Sequence, residues 1–145
     1  MKSNNVYGAL IILALALIVS VPMTQAQAQV RARASVPFGF SLNQQSMPAG
    51  AYEVSSQGNN VLVVRNLDTK EASLLIASMR VQASANSDTP HAKLVFRKCG
   101  DQYFLAQIWD GQSHTGIAFP KSKLEKELLA SGNGSQPEVV VIAMK

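Results

Sequence analysis

Apolar side chains recur at every second position over much of this chain, and that period excludes most folds at once. Val36, Phe38, Phe40 and Leu42 alternate with Pro37, Gly39 and Ser41. A period of two puts the apolar residues on one face of a strand, whereas a helix needs a period of 3.6. Pro37 has no N–H to give to a ladder, so it places this segment at a sheet edge or a strand start. Residues 43–46 form a polar turn, and Met47-Pro48-Ala49-Gly50 leads into a second strand where Tyr52 and Val54 alternate with Glu53 and Ser55. Gln57-Gly58-Asn59-Asn60 signals a turn, residues 61–66 a third strand, and Asp68-Thr69-Lys70 another turn. Residues 72–82 are the longest strand candidate, with Leu75, Ala77, Met79 and Val81 on one face. A helix competes there, because Ala, Leu and Met favour it. No cap marks its start, and the alternation of its second half decides for a strand. Residues 83–90 read as a polar loop.

Residues 92–98 and 103–109 read as a hairpin around the loop Cys99-Gly100-Asp101-Gln102. In that register Lys98 faces Tyr103, Phe96 faces Leu105 and Leu94 faces Gln107. One face then holds Leu94, Phe96, Tyr103, Leu105 and Trp109, the better core face. The other holds Val95, Phe104, Ala106 and Ile108 between Lys93 and Arg97, and it asks for a cover. Asp110-Gly111 is a turn signal, and residues 114–119 are a short seventh strand. Then the period changes. Ser122 with Glu125 three residues on is a capping box, opening a helix to about Ala130. Leu124 and Leu128 make its apolar stripe, with Leu129 beside them. Gly132 stands where a helix end wants a positive φ. After a loop at 133–137, residues 139–144 form a β-branched strand that would be an aggregation hazard if exposed, which places it inside a sheet or under the helix. The expected fold is all-β with one C-terminal-side helix: a compact antiparallel barrel or sandwich of about eight strands.

The first segment follows other rules. Lys2 precedes an apolar run at 6–21, Pro22 breaks any helix there, and Ala26-Gln27-Ala28 is an A-x-A site. This is the pattern of a secretory signal peptide cut after Ala28, with Ala26 and Ala34 as alternative cut sites. Sixteen residues of helix rise only about 24 Å, short of the roughly 30 Å hydrocarbon core that an uncleaved anchor would cross. No cysteine follows the run to carry a lipid. The expected organisation is therefore a signal peptide at 1–28, a flexible arm at 29–35 and a β-rich domain at 36–145. The protein is expected to be exported, periplasmic or secreted, touching the membrane only through the signal peptide.

Charge and chemistry then narrow the function. Removing Lys2 leaves 12 basic against 9 acidic residues, a mild +3, scattered without the basic stripe of a nucleic-acid binder. Cys99 is the single cysteine, so it stands as a free thiol or as a bridge to a second copy in a homodimer. Asn133-Gly134-Ser135 fits a glycosylation acceptor, a pattern common by chance. Cys99 and His114 form a thiol and base on paper, but the two turns that carry them belong at opposite ends of a strand. His91, His114 and Cys99 lack the short spacing of a zinc site, so no metal or cofactor is expected. The acidic residues are isolated and suit turns, and no motif asks for a carboxylate pair. The aromatic residues Tyr52, Tyr103, Phe104 and Trp109 are the candidate ligand-binding set, as a platform or a barrel mouth for sugar or apolar ligands.

Val36-Pro37-Phe38-Gly39-Phe40 and Met47-Pro48-Ala49-Gly50-Ala51-Tyr52-Glu53-Val54 resemble the opening of a group of small exported bacterial proteins. Lys93-Leu94-Val95-Phe96, Gly100-Asp101-Gln102-Tyr103-Phe104-Leu105 and Trp109 resemble their middle hairpin. Pro120-Lys121-Ser122-Lys123 with Glu125 and Glu127 resembles their charged helix. The resemblance covers most of the chain after the signal peptide. Its motifs are turn, strand and cap residues, and the group has no assigned activity, so it implies an exported β-rich fold and transfers no site residue. The expected function is a non-catalytic envelope or secreted module with a protein or small-molecule partner. The alternatives are a small barrel binding an apolar or sugar ligand and, more remotely, a hydrolase.

Overall fold

A computed structural model describes residues 31–58, 60–83, 91–132 and 136–145. The expected signal peptide with Ala26 and Ala28, the Asn133 acceptor and most of the 83–90 loop lie outside the described residues. Among those described, eleven strands and one helix form an all-β sandwich-like fold.

The first sheet is antiparallel, in the order β1 (Arg31–Val36), β4 (Gly50–Ser56), β5 (Val61–Asn66) and β6 (Ala72–Ile76). The second runs β11 (Glu138–Ala143), β8 (Lys93–Cys99), β9 (Gln102–Trp109), β10 (Thr115–Ala118) and β7 (Met79–Gln82). A small hairpin of β2 (Phe40–Leu42) and β3 (Gln45–Met47) joins it through one parallel bridge, Ser41 to Phe104. At one corner the sheets are laced together: Arg33 N–H donates to Lys145 O at 2.8 Å, and Lys145 N–H returns to Arg33 O at 2.9 Å. At the far corner the chain itself crosses from β6 to β7 through Ala77 and Ser78. The layers are held at both corners without closing into a barrel.

Several expected boundaries moved, each for a local reason. Residues 31–35, expected in a flexible arm, belong to β1. Its inner positions Ala32 and Ala34 are small, so the alternation reads weakly, yet both are buried. Its outer arginines meet Glu53 across the ladder, Arg33 at 3.1 Å and Arg31 at 3.8 Å. The strand expected at 36–42 breaks at Pro37–Gly39, though Val36, Phe40 and Leu42 keep the inward parity. Asn43 and Gln44 both hold positive φ (46° and 70°), the conformation that a two-residue hairpin turn requires. The 72–82 strand divides in two because it serves both sheets. Leu75 and Ala77 point into the core as expected, but the crossing exchanges the faces, leaving Met79 half exposed and placing Arg80, itself exposed, beside Ile117 in the row that faces the first sheet.

The hairpin β8–β9 turns more tightly than expected. Cys99 pairs with Gln102 around Gly100 (φ 62°) and Asp101. Lys98 faces Tyr103 and Phe96 faces Leu105, as read from the sequence. Then a bulge intervenes, and Leu94 faces Ile108 instead of Gln107. One extra residue reverses side-chain parity. Phe104, Leu105 and Ala106 are consequently all buried, and Ile108 is core while Trp109 is not.

Helix α1 (Lys123–Ser131) covers the second face of that hairpin. Ser122 Oγ accepts from Glu125 N at 3.1 Å, the expected cap. The Glu125 carboxylate does not complete the box. It turns down onto the sheet and binds Arg97 through both oxygens, with Nη2 at 3.0 Å from Oε2, and the same guanidinium reaches Phe119 O at 3.4 Å. Glu125 is the buried residue of the helix, while Leu124, expected in an apolar stripe, faces solvent. Gly132 caps the end through its N–H to Leu128 O with φ at −88°, so no positive φ is used. β11 lies at the end of its sheet, with Val139 and Val141 exposed on its outer face. No helix among the described residues is long and apolar enough to cross a membrane.

One end of the core is aromatic. Phe96, fully buried, receives the edges of Phe38 and Phe40 at 5.2 Å each, and Phe40 meets Tyr52 at 5.2 Å. Tyr52 is also fully buried and donates its hydroxyl to Pro48 O. Burial pushes the phenol above its ordinary pKa, opposed by the nearby Asn66 amide and reinforced by Glu71 and Asp68. That amide nitrogen falls short of a full hydrogen bond to any neighbour. The unfolded chain therefore ionises Tyr52 first. Stability from this group is intact below about pH 10 and is lost as pH rises beyond it toward the folded-state pKa. Tyr52→Phe is expected to cost about 1 kcal/mol at neutral pH and to lose stability less steeply than the wild type above pH 10, measured by urea unfolding.

Candidate functional site

The opposite end of the sandwich is aliphatic and incompletely filled. There β1 presents only Ala32, opposite Val54 and Leu62 of the first sheet. Ile108 and Ile117 face them from the second sheet, and Met144 closes one side. Short side chains leave a cleft of about 330 Å³ between the sheets, open at the sandwich end. Its size matches the lower range of small-molecule sites, and its composition, apolar walls with a few polar groups, is typical of them.

The mouth is polar. Ser56, Asn60, Arg80, Asp110 and Thr115 surround it. Turn chemistry places Asn60: it holds φ at 62° ahead of β5, and its carbonyl accepts from Ala77 N at 2.7 Å. Arg80 reaches across from β7, and its Nη2 donates to Asn60 Oδ1, so one side chain bars the gap between the sheets. Asp110 Oδ1 accepts from the N–H of Gln112 at 2.9 Å and of Ser113 at 3.3 Å, which commits that oxygen to the β9–β10 turn.

None of the four aromatics proposed from the sequence lines this cleft. Tyr52 is sealed in the core. Tyr103 stacks on Phe38 with centroids 3.8 Å apart and carries Lys98 Nζ at 5.8 Å on its ring. Phe104 is buried on the other face, beside a hollow of about 320 Å³ under the start of α1. Trp109 lies flat over Gly116, where an added Cβ would come within 2.6 Å of the ring, and it takes Lys93 Nζ at 5.2 Å. Its indole N–H donates to Gln107 Oε1 at 2.9 Å. The four are spent on separate packing tasks and form no common platform. The cleft residues were missed because five segments distant in sequence contribute them, at 32, 54–62, 80, 108–117 and 144. The signal that was present is the run of small residues at 32 and 34.

Cys99 is a free, buried thiol. Burial raises its pKa first, and the Glu125 carboxylate raises it further, against smaller opposing effects of Arg97 and Lys121. A thiol held protonated is a poor nucleophile. His114 lies past the far end of β9, and eight residues of strand separate the two by roughly 23 Å. Among the described residues, no group of three or more His, Cys, Asp or Glu side chains is placed to hold a metal ion. No protein-family model matches the chain, and no curated protein or solved structure is significantly similar to it.

Proposed function

We propose that this protein is an exported, non-catalytic binding module whose ligand is a small apolar molecule held in the cleft between the sheets. The observation that carries the reading is the cleft of about 330 Å³, walled by Val54, Leu62, Ile108, Ile117 and Met144, most of them members of the core cluster. The signal-peptide pattern and the resemblance to small exported bacterial β-proteins support export. A sugar is disfavoured because sugars stack on flat aromatic faces, and Tyr52, Tyr103, Phe104 and Trp109 are committed elsewhere.

At about 30 Å³ per water-sized group, the cleft holds on the order of ten heavy atoms. A ligand of that size is expected to bind with Kd on the order of 100 μM. The test uses the neutral fluorescent probe 1-aminonaphthalene, which has about the number of heavy atoms the cleft holds, with protein recovered after export. Its fluorescence is expected to rise on binding. Ser56→Trp and Thr115→Trp, which fill the cleft from its rim, are each expected to weaken binding at least tenfold. Unchanged binding in both variants would move the ligand elsewhere.

A further inference from the structure

Resting on that reading, we infer that the cleft is built for a single-chain anionic amphiphile, a medium-chain acyl carboxylate, with its head on the Arg80 guanidinium. Arg80, Ile117 and Ile108 occupy one register row across β7, β10 and β9. A chain laid along that row has a cation at its outer end and aliphatic carbon along the rest. Ile108 is buried, Ile117 is half-buried and Arg80 is exposed, so the row runs from the core to water. That gradient suits a molecule with one wet end and one dry end.

The charge balance at the mouth selects the sign of the head group. Among the described residues Arg80 has no carboxylate within ion-pair distance, and its hydrogen-bond partner is the neutral Asn60 amide. Arg33 and Arg97, by contrast, sit on Glu53 and Glu125. A guanidinium has five donors in a planar fork, and the bond to Asn60 engages one of them. The donors left over suit a carboxylate, which takes two parallel N–H bonds from one guanidinium. Asp110 carries the opposite charge at the same mouth, but its Oδ1 is held by the N–H groups of Gln112 and Ser113 in its own turn, and among the described residues no ion pair joins it to Arg80. The volume sets the tail: about ten methylene-sized groups at roughly 30 Å³ each fill 330 Å³. An eight- to ten-carbon acyl chain fits, with its carboxylate outside.

The test is isothermal titration of protein recovered after export with decanoate, decanol and decyltrimethylammonium, for the wild type, Arg80→Gln and Arg80→Lys. Arg80 is exposed, so these variants are expected to fold. Decanoate is expected to bind the wild type at least tenfold tighter than decanol, and the cation to bind weakest. Arg80→Gln is expected to remove the decanoate advantage and leave decanol unchanged, while Arg80→Lys keeps part of it. Equal affinity for decanoate and decanol in the wild type, or an advantage that survives Arg80→Gln, would overturn the anionic head group and leave the apolar cleft standing. Binding of none of the three would overturn both readings.

Discussion

Glu125→Ala is expected to lower the unfolding free energy by about 3–5 kcal/mol, a large part of the 5–15 kcal/mol that holds a domain of this size together. The Glu125 side chain is 1% exposed and that of Arg97 18%. Removing the carboxylate leaves a guanidinium under the helix with Phe119 O at 3.4 Å as its one remaining acceptor among the described residues. An unpaired charge at such a site is far more costly than the pair is beneficial. The same asymmetry predicts the rescue: Arg97→Met combined with Glu125→Leu is expected to recover most of the loss, because a well-packed apolar pair of similar volume avoids desolvation altogether. Urea unfolding followed by the fluorescence of Trp109, the single tryptophan, checks both. A loss under 1 kcal/mol for Glu125→Ala would mean that the pair behaves as a surface ion pair and that the helix is held by something else.

Phe96→Ala is expected to cost about 3–5 kcal/mol by the same measurement. Phe96 is fully buried and sits where the aromatic end of the core converges, with Phe38 and Phe40 edge-on to it. Each such contact adds about 0.5–1.5 kcal/mol beyond area burial. It faces Leu105 on one neighbouring strand and Val140 on the other, so a truncated side chain leaves a void that three strands must shift to fill. Phe96→Leu keeps much of the volume and is expected to cost less than half as much. A loss below about 1.5 kcal/mol for Phe96→Ala would show that the site collapses readily.

Local chemistry was legible in the sequence and long-range geometry was not. The hairpin register at Lys98–Tyr103 and Phe96–Leu105, the Ser122 cap and the need for a cover over Val95, Arg97 and Phe104 all follow from neighbouring residues. The bulge that turns Ile108 inward and Trp109 outward does not, because Ala106 has no composition that announces an extra residue. Glu125 misled for a related reason. A carboxylate at that helix position has a local partner on paper, and an arginine 28 residues away claims it instead. The aromatics were the visible candidates for a site because aromatic side chains bind ligands well, but they also fill cores well, and here packing takes all four. The cleft stayed hidden because absent volume, at Ala32 for instance, leaves no residue to point at.

The reciprocal hydrogen bonds between Arg33 and Lys145 have a consequence for how the chain comes to life. They join its first described strand to its last residue, and Ile142 and Met144 beside them belong to or pack on the core. Until these bonds form, β8 keeps an unfilled edge and the two layers stay unlatched at that corner. Long-range pairings of this kind form slowly. Because these bonds join the two ends of the described chain, breaking them frees the edges of both layers at that corner together.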